Sequence, residues 1–536
     1  MGFYRGIGGN SKKETMDIPE DSRRKLEEEE LKMKKDEEGA SPDREEKKKE
    51  EDDESNAMVE EEEEEEEEAP FHLPFAPENE LLNVSTTVDP SYVISLIRKI
   101  LPCDKKTEAK KTPISTPSNV ICSGLEDQQK GASTFDNSEQ SSSSAPEDYW
   151  EECGCILWDL SVESIQATLM VENHLLEVLV AHLTLSNSFR VTEICLGIIG
   201  NIACHDVLSE TIASTNNLVE TVVGQLFQED SSSLCEVCRL LSVSLKGSSF
   251  ASWTEAMKQE HILQHILWIA ENTLNLPLLE KTIGLLLTII ESEKIGQVLM
   301  PSLITLGLPN LMIKMFVSEV EKVFNENDLE RIPVLDLILE IIEALSTTEN
   351  CSNIISSNEQ LFDSLCDIVK FHDKIEIDLC YPVVVVIVAN VITDKPEFAS
   401  ELLEDLNFLQ GLFDMLPFVS TDTQARNALW SIMARIFPHI NMYEIRSMLY
   451  LQKYVTIFIE KGHLIEEDLD EHPVQSGSRK NKESNISNIQ NPDMITPSLK
   501  SICFILHSWL LGSIAAPKDT SKKAKRLLGY CQNYLK

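Results

Sequence analysis

The sequence lacks the short motifs that mark the common enzyme classes. It contains no P-loop, no GxGxxG, no GxSxG and no HExxH. Paired carboxylates are present, but in a chain with 90 Asp and Glu residues their presence carries no catalytic information. Because no motif points to chemistry, we expect a protein that is not an enzyme and that holds no cofactor and no metal.

Basic residues are scarce. The chain has 47 Lys and Arg against 90 Asp and Glu, which gives a formal net charge of −43. Such a field repels phosphate backbones and attracts cationic partners. The balance therefore predicts no direct nucleic-acid binding and favours protein partners with basic or extended segments.

Long apolar runs are also scarce. The longest, near Pro382–Ile392 and Ile502–Pro517, are shorter than a bilayer requires and contain Asn390 or His507. We therefore expect no membrane contact.

The 13 cysteines are odd in number, and most lie singly within apolar helical patterns. This usage favours a reducing compartment over a disulfide framework.

What the sequence does contain at its start is a low-complexity acidic segment. Residues 1–80 hold 13 basic and 30 acidic residues, and Glu60–Glu68 is an unbroken acidic run. Such a segment buries too little apolar surface to offset the entropy of ordering, so we expect it to be disordered. A short helix follows, since Asp89-Pro90 is a favourable helix start and Pro102 ends the apolar spacing.

A repeat dominates the rest of the chain. The most apolar helix of each unit aligns in one column, with gaps of 43, 44, 56, 46 and 45 residues. Armadillo and HEAT units have about 40–47 residues, so the spacing predicts a helical solenoid. We interpret the long gap as a loop inserted at Glu321–Arg331, and the β-branched run Val383–Val388 as a buried helix. The six aligned positions are Asn201, Ser244, Thr288, Ala344, Asn390 and Arg435.

The expected fold is all-α: an armadillo-type solenoid behind a long disordered acidic tail. Composition gives the segment boundaries. They are 1–78 acidic tail, 79–102 short helix, 103–147 flexible linker, 148–465 solenoid, 466–497 disordered insertion, and 498–536 C-terminal capping helices.

Residues 149–205 carry a more specific resemblance. The segments Trp158-Asp159-Leu160-Ser161, Glu193-Ile194-Cys195 and Gly200-Asn201-Ile202-Ala203-Cys204 are similar to the serum-amyloid-A-like family of armadillo-like proteins. We expect a plant member of that family. The resemblance implies a nuclear, also cytoplasmic, protein without known catalysis that is associated with growth control. It implies no established site residues.

Two functions remain open. The first is a protein-interaction scaffold whose concave strip includes part of the aligned column, where Asn side chains bind a partner's extended backbone. The second is a chaperone or buffer for basic proteins such as histones, acting through the acidic tail. The candidate partner-binding residues of the scaffold are Asn201, Ser244, Thr288, Asn390 and Arg435.

Two other sites are disfavoured. Receptors for basic nuclear signals place a Trp four residues before the Asn, on the same helical face. None of the six positions four residues before the column is Trp, and Gly197 and Gly284 occupy two of them. Cys235 and Cys238, with His261 and His265 further on, favour core thiols and partly exposed imidazoles over a zinc site.

Overall fold

The structure is a computed structural model that describes residues 88–102, 146–371, 378–443, 448–472, 494–512 and 517–536. Every described residue belongs to the unit Thr86–Lys536. The predicted acidic tail at 1–78 and all but the last two residues of the predicted linker at 103–147 lie outside the described residues.

Within those ranges the chain is helical and contains no strand, as the sequence predicted. Three short 3-10 turns, at Gln225–Phe227, Leu329–Arg331 and Asp378–Cys380, accompany the α-helices. The α-helices are α1 (Pro90–Lys99), α2 (Pro146–Leu160), α3 (Ser164–Glu172), α4 (Leu175–Leu185), α5 (Phe189–Ala203), α6 (Asp206–Ser214), α7 (Leu218–Gly224), α8 (Ser231–Lys246), α9 (Phe250–Met257), α10 (Glu260–Asn272), α11 (Leu276–Glu291), α12 (Glu293–Thr305), α13 (Leu308–Asn325), α14 (Ile332–Ser346), α15 (Ser352–Ser356), α16 (Glu359–Lys370), α17 (Tyr381–Asp394), α18 (Glu397–Leu402), α19 (Leu406–Asp414), α20 (Leu416–Val419), α21 (Thr423–Tyr443), α22 (Met448–Glu460), α23 (Gly462–Glu471), α24 (Ile495–Gly512) and α25 (Lys518–Tyr534).

Eight long helices pack one after another. We call this series the ladder, and its members in order are α2, α5, α8, α11, α14, α17, α21 and α24. Its side chains are buried on both flanks, and Ile199, Leu240 and Leu285 are fully enclosed. Because each ladder helix is too apolar to face water on two sides, it needs a neighbour on each flank. The six helices aligned by sequence are α5, α8, α11, α14, α17 and α21, which confirms the predicted repeat.

Shorter helices form an outer layer. Two or three of them follow each ladder helix before α24 and return the chain to the next one, and the outer helices of adjacent units also pack together. Most units therefore contain three main helices, and the ladder helix is the longest of them except in the unit of α11, where the outer helix α13 is longer. This arrangement is the armadillo-type solenoid that the sequence predicted.

Local signals set several helix starts. The Asp89 carboxylate accepts a hydrogen bond from the backbone N–H of Ser91 at 2.8 Å, and Pro90 occupies the first turn of α1. The Asn275 side chain likewise accepts from the backbone N–H of Leu278 at 2.9 Å at the start of α11. Each cap satisfies a backbone donor that the first helical turn leaves unpaired. The helix predicted after Asp89 is confirmed.

The stretch Glu321–Arg331 is a loop only in part. Helix α13 continues to Asn325, so most of the extra length of this unit is helical. The remaining turn is anchored by Glu319, whose carboxylate accepts from Arg331 Nη1 at 2.8 Å and Lys322 Nζ at 2.7 Å. Glu319 is buried, and these two cations compensate its charge.

The insertion predicted at 466–497 also begins later than its composition suggested. Helix α23 continues to Glu471, because Ile465 and Leu469 are buried and Asp468 is paired inside the fold. Helix α24 begins at Ile495, so its first turn was assigned to the insertion. Residues 473–493 lie outside the described residues.

The β-branched run at Val383–Val388 is helical, as predicted. It lies in α17 with Val384, Val385 and Ile387 fully buried.

Among the described helices, no single one has the length and apolarity to cross a bilayer. The pair α12 and α13 meets the criterion only when the two are joined, and the axes of these helices differ by 76°.

Candidate functional site

The residues that carry the family resemblance meet at one junction of the ladder. Asn201 in α5 donates its Nδ2 to the carbonyl oxygen of Trp158 in α2 at 3.1 Å. Arg239 in α8 donates Nη1 to Asn201 Oδ1 at 3.2 Å and Nη2 to the carbonyl oxygen of Gly197 at 3.1 Å. Three consecutive ladder helices are therefore tied by one side-chain network, which we call the α2–α5–α8 junction.

Glycines make this junction possible. A Cβ atom on Gly197 would lie 2.1 Å from Cε2 of Trp158, so the indole packs where a side chain would stand. A Cβ atom on Gly200 would lie 2.7 Å from Nη2 of Arg239, so its absence leaves room for the guanidinium group. The sequence indicated close helix packing at Gly200. It did not reveal the packing partner, which is the side chain of Arg239, 39 residues further along the chain.

The five predicted partner-binding residues all lie on ladder helices, near the same turn. Asn201 and Asn390 are half-buried, and Ser244 and Thr288 are buried. Their polar atoms bind within the chain in several cases: Thr288 Oγ1 donates to the carbonyl oxygen of Gly284 at 2.8 Å. As contacts for a partner, the five residues stay a prediction.

Asn390 and Arg435 both form hydrogen bonds within the ladder. Asn390 in α17 donates its Nδ2 to Ser346 Oγ in α14 at 2.9 Å, so it links neighbouring ladder helices as Asn201 does. Arg435 in α21 donates to the side-chain and backbone oxygens of Ser431 in its own helix. Burial lowers the pKa of Arg435 from its ordinary value. Both Asn side chains thus stabilise the stack, whatever else they bind.

Charged side chains on the ladder helices fall into two groups, those that form ion pairs and those that do not. From α2 to α11 they form ion pairs: Arg190 with Glu151 and Glu193, both at 2.7 Å, Arg239 with Glu236 at 2.7 Å, and Lys281 with Glu280 at 2.9 Å. Four carboxylates in this half of the ladder, Glu151, Glu193, Glu236 and Glu280, therefore each have a cation beside them.

Helix α14 differs, because it presents three carboxylates on one side. Asp336, Glu340 and Glu343 follow one another at intervals of one helical turn, and all three are partly buried. Among the described residues, none of the three forms an ion pair with Lys or Arg. We call this surface the acidic face.

The surroundings of the acidic face disfavour its negative charge. Burial raises the pKa of the Asp336 carboxyl. Burial also raises the pKa of Glu340, the nearby carboxylates of Asp336, Glu291 and Glu343 raise it further, and Lys246 lowers it by less. The pKa of Glu343 is raised by burial, although its carboxylate accepts a hydrogen bond from Gln424 Nε2 at 2.8 Å. A bound cation would relieve both causes, since it supplies the missing opposite charge.

The acidic face was missed at the sequence level. In so acidic a chain, composition does not distinguish these three residues from the other carboxylates. In this helix the aligned column contains Ala344, which is uncharged. The usable signal was their spacing of four and three residues within a helix, which places all three on one side.

Metal binding finds no support in the described ranges, where no three His, Cys, Asp or Glu side chains converge. Cys238 is buried against Thr282, with 3.7 Å between Sγ and Oγ1. His265 donates to the carbonyl oxygen of Leu226 at 3.0 Å. Burial raises the pKa of the Cys238 thiol to about 12, so this sulfur is held in its neutral form.

The repeat and the ladder define an armadillo-type helical-repeat protein. No family model matches the chain. By sequence it is 34% identical to Protein SAAL1 of Homo sapiens over 130 residues, which are 24% of this chain and 27% of that protein. It is 29% identical to Protein saal1 of Danio rerio over 133 residues, 24% of this chain and 28% of that one. The resemblance to the serum-amyloid-A-like family is confirmed, and the match spans about a quarter of these relatives. The plant origin stays a prediction.

Solved structures give distant similarities. A crystal structure of an engineered protein covers 73% of this chain and 86% of its own, with a TM-score of 0.43 and 13% identity. A designed armadillo repeat protein in complex with the peptide (KR)4 covers 47% of this chain and 95% of its own, with a TM-score of 0.35 and 13% identity.

Proposed function

We propose that the chain is a non-catalytic protein-interaction scaffold, and that the acidic face of α14 binds a basic, extended segment of a partner. The observation that supports this is the set of three partly buried carboxylates, Asp336, Glu340 and Glu343, none of which forms an ion pair with a described Lys or Arg. A fold selected only for stability gains nothing from such a cluster, because each raised pKa reflects unfavourable free energy of the charged form.

The partner is a protein segment with Lys or Arg side chains at alternate positions. An extended strand places alternate side chains on one side, and the helical turn of α14 places its carboxylates on one side too. Nucleic acid and membrane surfaces are disfavoured as partners of the acidic face by charge. A nuclear location, with a cytoplasmic pool, and a link to growth control are parts of the proposal that rest on the family resemblance.

The test uses an octapeptide of alternating lysine and arginine, labelled with a fluorophore. The full chain is compared with the triple variant Asp336→Asn, Glu340→Gln, Glu343→Gln. We expect the affinity to fall about tenfold, since three partly exposed ion pairs at about 0.5 kcal/mol each add up to that factor.

A matched control carries the same charge change on exposed residues of the outer layer, Glu397→Gln, Glu401→Gln and Glu404→Gln. It should change the affinity less than about twofold. Equal losses in both variants would mean that overall charge, not the acidic face, attracts the peptide, and the proposal would be wrong.

The acidic tail supports a second candidate function, a buffer for basic proteins such as histones. Its motivation is the excess of 30 acidic over 13 basic residues within residues 1–80. Deletion of residues 1–78 separates the two functions. A scaffold keeps its affinity for the peptide after the deletion, whereas a buffer loses it, and moderate salt removes the peptide from the full chain as well.

A further inference from the structure

A second surface lies on the outer helices, away from the acidic face. A groove of about 1030 Å³ runs between α6 and α7 on one side and α9 and α10 on the other. Its lining includes small residues, Ala213, Gly224, Ala251 and Ala256, which leave space for a bound chain to lie against the backbone. A Cβ atom on Gly224 would meet no atom within 4 Å. We call this surface the outer groove.

Phe227 and His261 line one end of the outer groove, and from them a row of stacked rings continues beyond the groove lining through His265 to Trp268. The ring of Phe227 lies 4.5 Å from that of His265, and the His265 ring lies 5.5 Å from that of Trp268, at angles of 24° and 12°. His261 stacks on Phe227 as well, at 5.9 Å. Phe227 is 47% exposed and Trp268 is 56% exposed, so the row presents open ring surface to the outside.

This row is positioned by the fold. His265 donates Nε2 to the carbonyl oxygen of Leu226 at 3.0 Å, which fixes its ring between the two larger ones. The backbone turn Gln225–Phe227 holds Phe227 at the end of α7. Large aromatic side chains held in place are the residue types that most often anchor binding surfaces, because little conformational entropy is lost when they are covered.

The charge of the outer groove is negative. The carboxylates of Glu220 and Glu255 line it, and its lining contains no Lys or Arg. Glu255 forms only a long, exposed ion pair with Lys258 at 3.5 Å. Glu220 has no ion pair with any described residue.

We propose that the outer groove binds an extended partner segment through an arginine side chain. The planar guanidinium group stacks on the Phe227–His265–Trp268 row, and its N–H donors bind the carboxylate of Glu220 or Glu255. Arginine suits both elements at once, because it stacks on aromatic faces and donates in pairs to carboxylates. Lysine matches the charge but not the planar geometry.

Other occupants fit less well. Bases of single-stranded nucleic acid also stack on aromatic rings, but their phosphates would lie beside Glu220 and Glu255 in a chain of net charge −43. A purely apolar segment would cover the rings and leave both carboxylates without a counter-ion. Oligo-dT and a leucine peptide represent these two alternatives in the experiment.

The probe is a fluorescein-labelled decapeptide of glycine and serine that carries two arginines. Its companions replace arginine by lysine, citrulline or leucine, and an oligo-dT of ten nucleotides represents nucleic acid. Fluorescence anisotropy is measured with the full chain carrying Asp336→Asn, Glu340→Gln and Glu343→Gln, so that the acidic face does not contribute. Sodium chloride at two concentrations separates stacking from long-range attraction.

We expect Trp268→Ala to weaken arginine-peptide binding about fivefold, within the range of cation–π contacts. Gly224→Trp should fill the outer groove and abolish binding, while Gly224→Ala should bind as the parent does. Citrulline and leucine peptides should bind at least about fivefold more weakly than the arginine peptide. Binding that is unchanged by both Trp268→Ala and Gly224→Trp overturns the proposal. So does a leucine peptide or oligo-dT that binds as tightly as the arginine peptide.

Discussion

Arg426 and Asp468 form a buried, two-pronged ion pair. Arg426 donates Nε to Asp468 Oδ1 at 2.7 Å and Nη2 to Oδ2 at 2.8 Å, and Trp430 donates its Nε1 to the same Oδ2 at 3.0 Å. Arg426 is 7% exposed and Asp468 is 3% exposed. The pair joins α21 to α23, so the last part of the ladder depends on a charge from the outer layer.

Removing the Asp468 carboxylate should strongly destabilise the C-terminal end of the ladder. Asp468→Ala leaves the Arg426 guanidinium group buried without a counter-ion, and we expect the free energy of unfolding to fall by about 3–5 kcal/mol. Urea unfolding measures the change. Glu467→Gln is the control, because this neighbour is exposed. Equal unfolding midpoints for Asp468→Ala and the control would show that the pair contributes nothing.

Gly197 and Gly284 occupy equivalent positions in α5 and α11 but should respond differently to alanine. In Gly197→Ala the new methyl group would collide with Trp158, and we expect a loss of about 1–3 kcal/mol. In Gly284→Ala nothing lies within 4 Å of the added carbon, and the higher helix propensity of alanine should stabilise α11 by up to about 1 kcal/mol. Thermal unfolding of both variants checks the prediction, and shifts of the same sign would contradict it.

The aligned Asn residues can be tested for two roles at once. Asn201→Ala with Asn390→Ala removes the bonds to Trp158 and Ser346, and we expect a loss of about 1–2 kcal/mol for each change. If both also bind a partner's backbone, the affinity for the alternating lysine–arginine peptide should fall at a temperature where the variant is fully folded. A stability loss with unchanged affinity would leave the two residues as structural links only, and the predicted partner-binding set would be wrong.

As the proposed peptide site, the acidic face should make peptide binding sensitive to pH. Because the pKa values of Asp336, Glu340 and Glu343 are raised, these groups take up protons at a higher pH than ordinary carboxyls do. We expect affinity for the basic peptide to fall as the pH is lowered through these raised pKa values, and the triple amide variant should lack this dependence. Titration at a fixed salt concentration measures it, and parallel profiles for the two proteins would contradict the assignment.

The raised pKa values of the acidic face also affect the stability of the free protein, but here the loss comes as the pH rises. A carboxyl whose pKa is higher in the folded state binds more protons there than in the unfolded chain, so stability falls as the pH rises from the ordinary value through the raised one. Glu340→Gln removes this cost. We expect the variant to be more stable than the parent at pH 7, by less than about 1 kcal/mol because the site is partly exposed. Denaturant unfolding at pH 7 and pH 4 measures the gain, which should disappear at the lower pH.

The sequence predicted the parts of the structure that depend on local periodicity. The column from Asn201 to Arg435 appears as six successive ladder helices, because a repeat that buries both flanks must keep its spacing. Contacts between units were not predictable in this way. Nothing in the spacing showed that Arg239 would reach back to Asn201, or that Asp468, in a polar stretch, would pair with Arg426.

The α2–α5–α8 junction and the Arg426–Asp468 pair lie near opposite ends of the ladder. Each ladder helix packs mainly on its two neighbours, so a defect is transmitted through nearest-neighbour interfaces and weakens with each one. The protein should therefore behave as a one-dimensional cooperative array, in which the units nearest a defect open first. Gly197→Ala should expose the N-terminal units to hydrogen exchange while α21 to α24 stay protected, and Asp468→Ala should reverse that order.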